Sequence, residues 1–366
     1  MQTDQCDISE KSLPVAQRPT RGGRLRRVLL NTLLVLGSVL LAAAVGEVVV
    51  RTLPARWVPE LYGINQQRYH LCAASENPQL YFELVPNNRE SEVNADGYRG
   101  PLFSEEKSPG VRRIIALGDS SFFGWGVAER QGCLRQLEKL LNQDGTGAVE
   151  VVNLAVPGYN SQQEAELLRV RGLKYQPDWI IVGYDHNDAE PRIGIEKRAS
   201  LIPDRYGRNA LRSRLLCYLV RKWYLARITR DGRDPGGNTR QDGYVVEGPL
   251  WDRHLEALAE IGRIARQRNV PVLLVIFDAW ARRDPGRTSE HYQAIHAKLV
   301  PFCRQAGFDV LDSYDLFQDY MAQNNFEDTR SLWMSIMPKD GHPNPKAHRM
   351  LAEAMYERLR TWSQSP

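Results

Sequence analysis

The chain has 366 residues, 42% of them apolar and 25% charged, a balance that excludes an intrinsically disordered polymer and leaves length for one large domain or two modest ones. Its formal net charge of +4 is concentrated at the start, where residues 1–27 carry six basic side chains against three acidic ones. The remainder is close to neutral and offers no extended basic surface, which argues against nucleic acid as a partner.

Residues 1–27 form a basic tail. Val28 to Gly46 follows without a charge, and Glu47 interrupts the run before Val48-Val49-Val50 and Arg51. About 20 mostly apolar residues cross the hydrocarbon core, so residues 28–50 are expected to be one N-terminal transmembrane helix. A buried helix of a soluble domain would carry a polar face at helical spacing, and none recurs here. Arginines crowd the N-terminal side, which places the tail in the cytoplasm and the rest outside. The expectation is a single-pass protein of the cell inner membrane, its main domain periplasmic in a Gram-negative cell. A cleaved signal peptide is the rival, since Ala42-Ala43-Ala44 offers small residues for a peptidase. The long leader and the length of the apolar run favour an uncleaved anchor. Cys6 would then be cytoplasmic, and Cys72, Cys133, Cys217 and Cys303 would lie where disulfides persist. Those four allow three complete pairings and match no zinc spacing; at least two are expected to be isolated buried thiols.

Residues 51–111 are rich in turn formers (Pro54, Pro59, Pro78, Pro86, Gly97, Gly100, Pro101, Pro109). They read as a connector packed on the main domain, with an extended piece at Leu80 to Val85. From Arg112 the pattern changes. Strands are expected at 113–117, 149–156, 179–184, 270–278 and 308–311, and helices at 131–142, 162–173, 254–268, 292–306 and 346–362. Residues 190–250, with many arginines and glycines, look like an insertion. Apolar strands alternating with amphipathic helices indicate an α/β domain over 112–362 with a parallel sheet covered on both faces.

Such sheets place their sites at the C-terminal ends of strands. The first three strands end at Gly118-Asp119-Ser120, at Val156-Pro157-Gly158 and at Asp185-His186-Asn187-Asp188. These clusters converge on one edge and supply the parts of an acyl-transfer site. Ser120 is the candidate nucleophile and His342 its base. Asp340 would hold the imidazole tautomer. The N–H groups of Ser120 and Gly158 and the amide of Asn187 would form the oxyanion hole. Asp119 is expected to fix the turn by accepting backbone N–H bonds. His348 and His186 compete for the base. Trp125, Tyr159 and Trp280 are candidate substrate platforms for which core packing is the better expectation.

At these residues the chain resembles the SGNH, or GDSL-type, hydrolase superfamily. The first block is matched by Gly118-Asp119-Ser120-Ser121-Phe122-Phe123-Gly124, the second by Asn153-Leu154-Ala155-Val156-Pro157-Gly158. The third resembles Asn187-Asp188 and the last Asp340-Gly341-His342-Pro343-Asn344. Upstream, Asn94-Ala95-Asp96-Gly97-Tyr98-Arg99-Gly100 resembles a lead-in of membrane-anchored bacterial members. The resemblance implies a three-layer αβα flavodoxin-like fold, serine esterase activity on carbohydrate or lipid esters, and no metal or cofactor. Two positions depart from the pattern. Asp185 stands where the third block commonly has Gly, and one residue rather than two separates Asp340 from His342, so a Ser–His dyad stays open. The function expected is hydrolysis of acyl esters, O-acetyl above all, on a small ester or an acylated exported or surface polysaccharide. An O-acyltransferase using the same residues is the alternative. So is a catalytically silent scaffold of an envelope polysaccharide machine.

Overall fold

A computed structural model of the chain describes residues 21–53, 71–143, 148–185, 187–190, 213–216, 218–219, 237–241, 244–277, 288–326, 335–336 and 341–363. Asp340, His186, Trp280 and Cys217 lie outside the described residues, as does most of the 190–250 insertion.

The first described element is the helix α1 (Arg21–Thr52). Its segment Arg26–Thr52 holds an 18-residue window with a mean hydropathy of 2.5. Among the described residues it is the one helix long and apolar enough to cross a membrane. A short antiparallel pair follows, β1 (Cys72–Ala74) and β2 (Phe82–Leu84). Then come β3 (Val111–Leu117), the single-turn helix α2 (Ser120–Phe123), α3 (Cys133–Gln143), β4 (Ala148–Asn153), α4 (Ser161–Val170) and β5 (Trp179–Tyr184). A second antiparallel pair, β6 (Thr239–Gln241) and β7 (Tyr244–Glu247), precedes α5 (Pro249–Gln267). The chain ends with β8 (Val272–Ile276), α6 (Thr288–Gln305), β9 (Phe308–Asp312), α7 (Ser313–Gln323) and α8 (Pro345–Ser363).

The main sheet is parallel throughout, in the order β4-β3-β5-β8-β9. That is the doubly wound flavodoxin-like order, and its switch point lies between β3 and β5. Burial follows from the sequence. Ile114, Ile115, Ala116 and Leu117 have no exposed surface, and β5 and β8 are buried at every position. Strands covered on both faces must read as continuous apolar runs. α3 packs with α8 on one side, α4 with α5 on the other. The fold is thus the α/β parallel-sheet fold the resemblance implies.

Helix α7 was not among the sequence expectations. Asp312 caps it, accepting from Tyr314 N at 2.9 Å, and Phe317 is its fully buried contact. The insertion region contributes the β6–β7 pair. Its Val245 and Val246 are buried in the main core. Cys133 and Cys303 are free buried thiols, and burial pushes each up to about 12, which fits the expected isolated pair.

Residues 71–110 lie against α4. Tyr159 Oη donates to Phe82 O at 2.5 Å, Gln163 Nε2 to Leu80 O at 2.7 Å, and Asn77 Nδ2 to Glu166 Oε1 at 2.6 Å. Leu71, Leu80, Phe82, Leu84, Val93 and Tyr98 join the same apolar core as the sheet.

Candidate active site

The turn that carries Ser120 is built by three local devices. β3 ends at Leu117, Gly118 follows, and Asp119 caps α2 through Oδ1, which accepts from Ser121 N at 2.9 Å. Gly124 then ends the helix after one turn in the left-handed region, φ +82°, its N–H reaching back to the carbonyls of Ser120 and Ser121. Glycine meets that requirement without a Cβ penalty. Ser120 therefore sits at the first position of a helix, where backbone N–H groups have no intrahelical partner.

His342 arrives from the far end of the chain, and its placement is also local in origin. Asn344 caps α8, its Oδ1 accepting from Lys346 N and Ala347 N at 3.0 Å each, and Pro345 opens the helix. Asn344 N bonds Ile336 O at 2.8 Å, and its Nδ2 bonds Ser335 O at 2.8 Å. His342 lies two residues before that anchored cap. Its Nε2 is 3.0 Å from Ser120 Oγ. The same hydroxyl lies 3.2 Å from Asp119 Oδ2, so one proton faces two acceptors. The Trp125 ring flanks the imidazole, with ring centroids 6.3 Å apart.

The other two blocks meet at this rim. Val156 N donates to Gly118 O at 3.0 Å, tying the second block to the Ser120 turn. Gly158 follows at φ +89°, a left-handed conformation suited to glycine. Asn160 then caps α4, accepting from Gln162 N and Gln163 N at 3.1 Å. Asn187 Nδ2 donates to Tyr159 O at 3.2 Å, which places this amide beside the Gly158 turn with a second N–H on the same nitrogen.

His348 is excluded as the base by its packing. It is fully buried, and its Nδ1 accepts from Cys133 N at 3.2 Å at the head of α3. Burial, then the charges of Arg99 and His342, hold it down at about 3. Tyr159 is also a core residue, with no exposed surface.

Asp185 Oδ2 accepts from Ser121 Oγ at 2.8 Å. It belongs to a buried acidic group with Asp119, Asp188 and Glu164. Asp188 accepts from Asp185 N at 2.6 Å and from Ser161 Oγ at 2.7 Å. Both Glu164 oxygens lack a hydrogen-bond partner. Burial, then the charges of Asp188, Asp119 and Asp185, hold its carboxyl well above the usual range. Among the described residues no group of His, Cys, Asp and Glu is arranged to hold a metal ion. Burial and the neighbouring carboxylates favour the protonated form of Glu164 in the folded chain, whereas its unfolded counterpart ionises near 4.5. Stability from this group is therefore fullest below that pH and declines as pH rises toward the folded value. Glu164→Gln is expected to raise Tm, and the gain should widen from pH 5 to pH 9 in thermal melts. A gain that shrinks over that range would contradict a protonated Glu164.

Two positions that bear on Ser120 carried no sequence expectation of a role. Gly183 in β5 faces Phe122, and a Cβ there would fall 2.2 Å from a ring carbon. Gly183→Ala is expected to cost about 3 kcal/mol by overpacking and to lower activity, because Phe122 shares its one-turn helix with Ser120. Urea melts and ester turnover measure the two effects. The second position is Arg99, whose buried guanidinium donates to Phe123 O, Gly124 O and Val127 O, each at 2.7 Å. The lead-in resemblance covered it without giving it a task.

No curated protein matches the chain. Solved structures that are similar include TesA, 17% identical, covering 68% of this chain and 99% of its own, with a TM-score of 0.42. An acetyl xylan esterase, AlAXEase, is 17% identical, covering 68% of this chain and 99% of its own, with a TM-score of 0.44. The psychrotrophic esterase EstA from Pseudoalteromonas sp. is 14% identical, covering 69% and 100%, with a TM-score of 0.42. Residues 116–350, more than half of the chain, match the model of one family and span every block of the rim. With those blocks carried on a parallel five-stranded sheet, the chain belongs to the GDSL-like lipase/acylhydrolase family.

Proposed function

We propose that the protein is a serine ester hydrolase whose nucleophile is Ser120 and whose base is His342. The observation that carries this is the 3.0 Å approach of His342 Nε2 to Ser120 Oγ at the sheet's switch point. In this mechanism the imidazole takes the seryl proton as Oγ attacks the ester carbonyl. The tetrahedral oxyanion is held by the N–H groups of Ser120 and Gly158 and by the Asn187 amide. Collapse expels the alcohol, protonated by His342, and leaves an acyl-serine. Water activated by the same imidazole then releases the acid. Asp340 is assigned to steady the imidazolium.

The organisation proposed is a basic tail (1–27), an anchor (28–50), a packed connector (51–111) and the hydrolase domain (112–362). In this organisation α1 spans the cell inner membrane and the catalytic domain lies outside the cytoplasm. Its apolar length and the arginines before it support that placement. An enzyme so placed meets exported and surface polysaccharides, and their O-acetyl esters are the substrate class we assign. A fluorophosphonate probe should add to Ser120 and leave Ser120→Ala unlabelled. The wild type should release acetate from an acetylated polysaccharide faster than it cleaves long-chain esters. Absence of labelling would remove the hydrolase; labelling with a long-chain preference would remove only the substrate class.

A further inference from the structure

Among the described residues, the insertion meets α1 at Glu47 and Gly46. Glu47 is the only charged residue between Arg27 and Arg51. Its carboxylate accepts from Ser213 Oγ at 2.8 Å, from Arg214 N at 2.9 Å and from Leu215 N at 2.8 Å, and also from Arg51 Nε at 2.7 Å. Residues 214–216 and 218–219 are helical, so Glu47 caps the start of that turn from a neighbouring helix. Apolar contact seals the junction: a Cβ at Gly46 would fall 2.8 Å from a Leu215 methyl. Beyond the junction, Leu216 and Leu219 are 43% and 53% exposed. They are three residues apart and share a helix face.

We propose that residues 213–216, 218 and 219 belong to a membrane-surface element, docked on the outer end of α1, whose Leu216 and Leu219 side chains enter the lipid. This rests on α1 spanning the bilayer, as set out above. Height favours the bilayer as occupant. From Val28 to Glu47 a helix rises about 28 Å, close to the hydrocarbon thickness of about 30 Å. Glu47 therefore lies at the rim of the apolar phase. A lone carboxylate is costly there unless it is satisfied, and the three donors from 213–215 satisfy it. Exposed apolar side chains recur along α1 from Val28 to Val49, and Leu216 and Leu219 add to them at the rim. Arg51 and Arg214, both exposed, stand at the level of anionic lipid headgroups. The element draws the insertion, and with it the hydrolase domain, toward the bilayer surface.

The test uses the full chain reconstituted in vesicles of phosphatidylethanolamine and phosphatidylglycerol. Cys6, Cys72 and Cys217 are replaced by Ser, the buried Cys133 and Cys303 are kept, and single fluorophores are placed at Leu219→Cys or Val39→Cys. Nitroxide lipids labelled near the headgroup or at the acyl-chain end give depth by quenching. The Leu219 label is expected about 5–10 Å inside the headgroup boundary, and Glu47→Ala should abolish that quenching. A Val39 label at the bilayer centre with an unquenched Leu219 label would overturn the proposal and leave the span intact. Quenching at Leu219 that survives Glu47→Ala would overturn the docking. A Val39 label in water would overturn the span itself, and the proposal with it.

Discussion

Ser120→Ala and His342→Ala are each expected to lower turnover of a short acyl ester by about 10⁴–10⁶, and the double variant by no more than either single one. The reason is that alcohol and imidazole act as one unit. With the 3.0 Å contact in place, the hydroxyl needs the ring to accept its proton, and the ring activates water for deacylation only after that hydroxyl has been acylated. A variant lacking either partner falls back on binding and oxyanion stabilisation alone. Additive losses would mean that the two residues serve separate steps, which this geometry does not allow. Asp119 supplies a control within the same turn. Its carboxylate also faces Ser120 Oγ, at 3.2 Å, but its other oxygen caps α2 through Ser121 N. Asp119→Asn keeps an acceptor for that cap and should cost far less than loss of His342. Steady-state kinetics on a chromogenic acetyl ester, with folding checked by circular dichroism, measures all four proteins. Asp340→Asn in the same assay separates a triad from a dyad.

The sheet was legible because its strands are continuous apolar runs, and β5 lay where that run predicted it. The rim was legible for a related reason. Each block comes just after a strand or just before a helix cap, where the chain has little conformational choice. Gly124 and Gly158 take positive φ there, and Asn160 and Asn344 cap the helices that follow. Helix α7 escaped notice because it begins directly after β9, with no glycine or proline between them, although Asp312 followed by Leu316, Phe317, Tyr320 and Met321 has the spacing of a capped amphipathic helix. The buried acids were illegible for a different reason. Glu164 occupies α4 and Asp119, Asp185 and Asp188 two separate turns, and only the crossover of β4 and β5 on opposite sides of β3 brings them together. Arg99 is the clearest example of this kind. Its three carbonyl partners are 24 to 28 residues away, and a lone arginine in a turn-rich segment reads as a solvated charge until the fold is known.

Arg99→Met is accordingly expected to lower kcat by about 10–100-fold while leaving KM within a small factor. The guanidinium closes the C-terminal end of the one-turn helix that carries Ser120. It donates to Phe123 O and Gly124 O through Nη1 and to Val127 O through Nη2, and stacks over the Phe123 ring at 4.7 Å. Glu92 Oε2 accepts from the same Nη2 at 2.9 Å and from Glu129 N at 2.6 Å, extending the clamp to the segment after the turn. Methionine fills much of the volume but strands three carbonyls, which should cost about 3 kcal/mol in urea melts. The turn then loses the ties that hold Ser120 Oγ at hydrogen-bonding distance from His342, and a displacement of about 1 Å there is enough for the kinetic effect. Arg99→Lys tests positioning against bulk stability. It restores a cation and one or two donors without the planar fork, so it should recover more of the stability than of kcat. If kcat returned in full with lysine, or if the loss in Arg99→Met lay in KM instead, Arg99 would be a packing residue whose contacts with the turn do not govern the nucleophile.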